Sequence, residues 1–172
     1  MVNYRKLVAI GDLSGKTFAI RTFLKDELPE PDPNILDIAI TDVEVAGTIM
    51  ELAVWDTCDK ERYKELRLNA YHNADVVLIF FSCYGQDTFR NIKAIWVPEV
   101  RKHGPKKVPI LLVGVLSRQL RSFRHEESND LIGREQIDCM VREVGAVGCV
   151  QCCADNKYNL DKVFETAVAA TL

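Results

Sequence analysis

The segment Gly11-Asp12-Leu13-Ser14-Gly15-Lys16-Thr17 gathers two glycines, a lysine and a hydroxyl into a short stretch that leaves an apolar run and enters a helical one. Residues of these types suit a phosphate. Backbone N–H groups freed by glycine close around the anion, the lysine adds charge, and the threonine hydroxyl can ligate magnesium. The usual spacing is GxxxxGK[ST]. Here three residues separate Gly11 from Gly15, because Ile10 stands where the first glycine would restore the spacing. A loop one residue short cannot trace the same path around a β-phosphate, so ancestry is better supported than activity. A second signal is Leu52-Ala53-Val54-Trp55-Asp56-Thr57, an apolar strand ending in an acid of the kind that holds magnesium through water. Gly11, Asp12, Gly15, Lys16, Thr17 and Asp56 are therefore the candidate phosphate and magnesium residues.

Presenting such loops requires strands that end at them. Apolar runs at 6–10, 49–55, 76–81, 110–115 and 147–151 are short, rich in Val, Ile and Leu, and bounded by turn residues. They suit strands buried on both faces of a parallel sheet. The run at 38–45, followed by Ala46 and Gly47 and then Ile49, reads as a hairpin, which makes one edge strand antiparallel. Helical periodicity fills 17–25, 63–71, 87–102, 134–144 and 159–170. The expected fold is α/β: a six-stranded, mostly parallel sheet with one antiparallel edge strand and helices on both faces. The irregular segments are the Pro-rich 28–34 and the polar 117–133.

Composition narrows the function classes. The chain has 172 residues, 48% hydrophobic and 27% charged, which suffices for one domain with its own core and excludes a disordered tail or a disulfide-built miniprotein. A net charge of -3 with no large block of one sign argues against nucleic acid as a partner. No apolar run is long enough to cross a bilayer, and no signal peptide precedes the first strand, so an intracellular, cytoplasmic chain is expected. Six cysteines follow no framework spacing and are expected as reduced core or strand residues. Cys149 and Cys152 form a CxxC, but within a strand and without a second pair for zinc. His72, His103 and His125 are scattered and read as surface residues.

Taken together, the two signals make the chain resemble a Rho-family small GTPase, a P-loop G domain, over about residues 4–172. The likeness is carried by Lys6-Leu7-Val8, Lys25-Asp26, Val43-Glu44-Val45, Trp55-Asp56-Thr57, Asp75-Val76-Val77, Phe89-Arg90-Asn91-Ile92, Trp96-Val97-Pro98-Glu99-Val100, Leu111-Leu112-Val113-Gly114 and Val163-Phe164-Glu165. The segment WVPEV is a Rho feature within the wider Ras group, and 117–133 is similar to a shortened Rho insert. The resemblance implies a switch in which GTP and magnesium order two loops read by effectors.

Position by position, the chain departs from what the resemblance implies. The family's guanine-selecting Asn/Thr-Lys/Gln-x-Asp is Val115-Leu116-Ser117-Arg118, which loses the carboxylate that accepts from the base. The next base-contacting element is Cys153-Ala154-Asp155, keeping Ala154 and its backbone N–H but losing the serine. The aromatic that packs on guanine is Leu28. The DTAGQE segment is Asp56-Thr57-Cys58-Asp59-Lys60-Glu61, setting Asp59 at the γ-phosphate glycine and Lys60 at the water-orienting glutamine. A protonated lysine cannot accept a hydrogen bond from water. Asn34 stands near the magnesium threonine, and Pro31 and Pro33 stiffen the first switch.

These losses converge on one pocket. The resulting expectation is a Rho-like pseudoGTPase with no catalytic residue and at most weak GTP or GDP with Mg2+. It would bind protein regulators or effectors of Rho proteins through 28–39 and 56–68. The expected contact residues are Leu28, Asn34, Ile35, Leu36, Asp37, Asp59, Lys60, Tyr63 and Leu66. Lysine and arginine near the site are expected to fill it in place of a ligand. The alternative from the enzyme class is an atypical GTPase that binds through Lys16, Thr17 and Asp56 and hydrolyses slowly; a third reading gives the pocket another phosphate ligand at Asp155 or Arg118. No prenyl anchor follows Ala169-Ala170-Thr171-Leu172, so no membrane anchor is expected from this chain. The arginines 118, 121 and 124 are expected on a solvated loop.

Overall fold

Period-two burial on both sides is what turns the Val, Ile and Leu runs into central strands. The computed structural model describes residues 3–12, 15–24, 36–116 and 131–172. Its strands are β1 (Tyr4–Gly11), β2 (Leu36–Val45), β3 (Thr48–Thr57), β4 (Val76–Ser82), β5 (Ile110–Val115) and β6 (Gly148–Cys152). They form one sheet in the order β2-β3-β1-β4-β5-β6. Among the strand pairs of the described residues β2–β3 alone is antiparallel, as the hairpin at Ala46-Gly47 required. Both turn residues have positive φ, 51° and 77°, the handedness that matches the twist of the flanking strands.

Among the described residues the helices are α1 (Lys16–Phe23), α2 (Lys64–Ala70), α3 (Gln86–Asn91), α4 (Val97–His103), α5 (Arg134–Val144) and α6 (Leu160–Ala169). A single 3-10 turn, Glu61–Tyr63, leads into α2. Where one helix is expected over 87–102, the chain winds as α3, a π-helical stretch at Ile92–Trp96, and α4. Pro98 explains the difference: it has no N–H for the carbonyl four residues back, and the widened turn before it relieves the clash of its ring.

Alternate strand residues feed two cores. On one face Leu7, Leu52, Val54, Leu78, Phe80 and Val113 meet α1 and α6 through Ile20, Val163 and Phe164. On the other, Val8, Val77, Ile79, Phe81 and Leu112 meet Tyr71, Ile92, Trp96, Ile137 and Met140. Phe23 of α1 stacks on Phe164 of α6, ring centroids 3.7 Å apart. Cys83 and Cys152 are buried as expected, whereas Cys139 lies exposed on α5 and is neither core nor strand. Cys149 and Cys152 fall in opposite cores, since an i, i+3 pair on a strand points to opposite faces. His72 and His103 are exposed; His125 and the insert residues 117–130 lie outside the described residues.

Candidate functional site

The site forms where β1 and β3 end side by side. Their parallel register sets Ala9 opposite Asp56, so the last residues of both strands emerge together. Gly11 closes β1 at φ 136°, and a Cβ there would lie 2.3 Å from the Phe80 carbonyl oxygen, so the tight pairing with β4 admits only glycine. Gly15, at φ 84°, is the left-handed residue from which α1 starts, and Lys16 and Thr17 are its first helical residues. Leu13 and Ser14 lie outside the described residues. The Asp12 carboxylate accepts from Asn91 Nδ2 at 2.9 Å, which ties the loop to α3.

Lys16 is turned inward. Its ammonium donates to Asp56 Oδ1 and, at 2.5 Å, to the Thr57 carbonyl oxygen. Lys16 is 7% exposed and Asp56 6%, so the pair is dry on both sides. The Thr57 hydroxyl donates to the Ala9 carbonyl at 2.7 Å, which fixes the end of β3 against β1. The lysine expected for phosphate and the acid expected for magnesium are thus bonded to one another. Arg118, the other cation expected near the site, lies outside the described residues. Thr17 is half-buried beside Lys16.

Beyond β3 the chain is anchored by its backbone and by one arginine. The Lys60 side chain is exposed, while its carbonyl accepts from Tyr63 N–H at 3.0 Å and starts the 3-10 turn. Arg67 donates to the Cys58 carbonyl at 3.0 Å and to both Glu99 oxygens at 2.9 and 2.7 Å. The Tyr71 hydroxyl donates to Glu99 Oε2 at 2.6 Å, and the Arg67 guanidinium lies 5.1 Å from the centre of the Trp96 ring. Burial alone would raise the Glu99 carboxyl, but the hydrogen bonds from Arg67 and Tyr71 outweigh it and hold the group below its usual range. Burial, reinforced by the bond to Glu99, pushes the Tyr71 hydroxyl upward. Sequence reading missed this cluster, although Glu99 lies within the WVPEV segment. Because of it Arg67 points inward, and with Asp56 it drops out of the surface expected over 56–68.

At the other end of the site, Val115 is buried and pairs with Cys152, and Leu116 N–H donates to the Cys152 carbonyl at 2.8 Å. Apolar side chains therefore occupy the first two positions of the base-selecting segment; the fourth, Arg118, is outside the described residues. Ala154 is buried at 4% exposure, at the start of a turn closed by the Cys153–Tyr158 bridge, and Asp155 is exposed. Among the described residues no cluster of three or more His, Cys, Asp or Glu side chains is placed to hold a metal.

Of the expected contact residues, Leu28, Asn34 and Ile35 lie outside the described residues. Leu36 and Asp37 open β2, where Asp37 accepts from Arg21 Nη2 at 3.1 Å. Asp59 and Tyr63 are partly exposed, and Lys60 and Leu66 are exposed. Ile38 and Ile40 also face solvent from β2, as does Ile49 from β3, an apolar addition that the alternation of the 38–45 run could have signalled.

The sequence profile of the Ras family matches residues 6–172. The chain is also 36% identical, over 172 aligned positions, to the GTP-binding protein RHO4 of Saccharomyces cerevisiae, an alignment that covers 97% of this chain and 57% of that protein. The chain thus spans little more than half the length of this curated relative.

Proposed function

Because the chain belongs to the Ras family of small GTPase domains, matched over residues 6–172, we propose that it works as a Rho-like pseudoGTPase: a G-domain scaffold that binds protein regulators or effectors of Rho proteins. The observation that carries this reading is the Lys16–Asp56 pair. By type, Thr17 and Asp56 suit an oxygen-loving cation such as magnesium. With the Lys16 ammonium on the Asp56 carboxylate, however, a like charge stands where that cation would be held, and the phosphate-binding lysine is committed to an internal partner. Asp59 adds negative charge at the γ-phosphate position, and Lys60 cannot orient water. On this reading the described residues do not suit a magnesium nucleotide, and no hydrolytic step is assigned to them.

The surface left for work is the exposed row of Ile38 and Ile40 with Asp59, Lys60, Tyr63 and Leu66 beyond β3. One observation favours an atypical GTPase instead: Gly15, Lys16 and Thr17 still open α1 in the arrangement that presents backbone N–H groups to an anion. Nucleotide content separates the two. Freshly purified protein is denatured, its supernatant is assayed for guanine and adenine nucleotides, and the stripped chain is titrated with a fluorescent GTP analogue and magnesium. The pseudoGTPase reading expects a folded protein without stoichiometric nucleotide and without saturable titration; stoichiometric GDP or GTP would replace it with the slow GTPase.

A further inference from the structure

The parallel sheet has a second end, opposite the site, where β4, β5 and β6 begin. The connection from α4 to β5 crosses it. Val77 N–H donates to the Pro109 carbonyl at 3.0 Å, and Val147 N–H donates to the Ile110 carbonyl at 2.8 Å, so this connection lies between the approaches to β4 and β6. Its sequence, with the last turn of α4, is Arg101-Lys102-His103-Gly104-Pro105-Lys106-Lys107: four fixed cations and a histidine without a carboxylate. The chain as a whole is -3, so these cations are set against a remainder that is more negative still. Arg101 is partly engaged, donating to the Val108 carbonyl at 3.0 Å. Lys102, His103, Lys106 and Lys107 are exposed.

The two lysines stand at the tip of a tight turn. Val108 N–H donates to the Pro105 carbonyl at 3.2 Å, which makes Lys106 and Lys107 its central residues. Lys107 has φ 60°, a conformation in which glycine or asparagine is usual. Two acids near the turn are already engaged. Asp75 accepts from the Lys6 backbone N–H at 2.7 Å, and Glu143 from Lys93 at 2.9 Å. Val147, whose N–H bonds the carbonyl of Ile110 just after the turn, is an apolar side chain 54% exposed.

We propose that this end of the sheet docks on an anionic phospholipid surface, with Lys106 and Lys107 as the main contacts, Lys102 and His103 behind them, and Val147 at the apolar boundary. The cations crown a turn rather than line a groove. The second edge of the sheet, β6, begins beside this turn, so an extended acidic peptide pairing with it is the competing occupant that the test separates. A planar surface can meet the turn tip and Val147 together. A basic residue close to an anionic leaflet contributes in the same sense whatever the headgroup, and salt weakens it.

Vesicle co-sedimentation of the whole chain tests this. Phosphatidylcholine vesicles are compared with vesicles containing about a third phosphatidylserine, an anionic lipid. Partition is expected only to the anionic vesicles and is expected to fall sharply at high salt. The double variant K106A/K107A should bind roughly 25-fold more weakly while melting like the parent, because both side chains are exposed. K157E serves as the control: it changes the charge by as much as the double variant, but on the turn after β6 at the opposite end, and should retain partition. Equal binding to neutral vesicles, an unchanged double variant, or an equal loss in K157E would overturn the proposal. So would capture by a polyglutamate peptide without any vesicle partition.

Discussion

Lys16 and Asp56 form an ion pair that has left water on both sides, and such a pair has an asymmetric energetics. Bringing two charges into the interior costs several kcal/mol each, and only their attraction and added hydrogen bonds offset it. Here the Thr57 carbonyl supplies one of those bonds. Removing a single partner should therefore hurt more than removing both. Lys16→Ala is expected to destabilise the chain by about 3–5 kcal/mol in urea denaturation at neutral pH, because it strands the Asp56 carboxylate in a dry site. The double variant K16M/D56L should recover most of that loss. A Lys16→Ala chain as stable as the parent would mean that water reaches Asp56 and that the pair is not structural. Sequence alone supplied both residues, but for phosphate and magnesium. Their contact depends on the β1–β3 register, which brings together positions 40 residues apart that no local pattern links.

Among elements, the helical stretch across 86–103 is the most informative. Its extent was legible from periodicity, and so was the hairpin at Ala46-Gly47, since both follow from which side chains must be buried. The π-helical stretch was not: the residues at 92–96 read as ordinary helix, and only Pro98 hints at a change. Nor was the contact of α2 with α4 legible, where Arg67, Tyr71 and Glu99 meet, because charged residues on amphipathic helices read as solvent-facing. This contact fixes the 58–67 segment through the Cys58 carbonyl, so its titration should be felt there. Glu99 is held below its ordinary value of 4.5 when folded. The stability it contributes is full above that value and is lost as pH falls through the depressed folded pKa. The gap in stability between the parent and Glu99→Gln should accordingly be widest near neutral pH and narrow below about pH 4. A gap that stays constant down to acid denaturation would remove Glu99 from that role.

At the scale of the whole molecule, the two cores contain thiols whose ionisation opposes folding. Burial pushes Cys83, Cys149 and Cys152 up to about 12 from 9.0. Unfolded, the same groups lose their protons first, so stability is complete below the unfolded value and declines as pH rises through the window between the two. The loss should approach about 1.4 kcal/mol per pH unit for each thiol. Urea midpoints under reducing conditions should fall between pH 8 and pH 10, and C83A/C152A should fall less; equal slopes would show that the thiols are not responsible. The same breadth of view applies to β2, ten residues long at the margin of the sheet. Ile38 and Ile40 make it an inviting template for another strand, while Asp42 and Glu44 sit exposed on the same row. Two copies meeting margin to margin would crowd carboxylates against carboxylates, whereas a neutral or basic strand would not. The strand can thus stay open to others while its own carboxylates oppose pairing with a second copy.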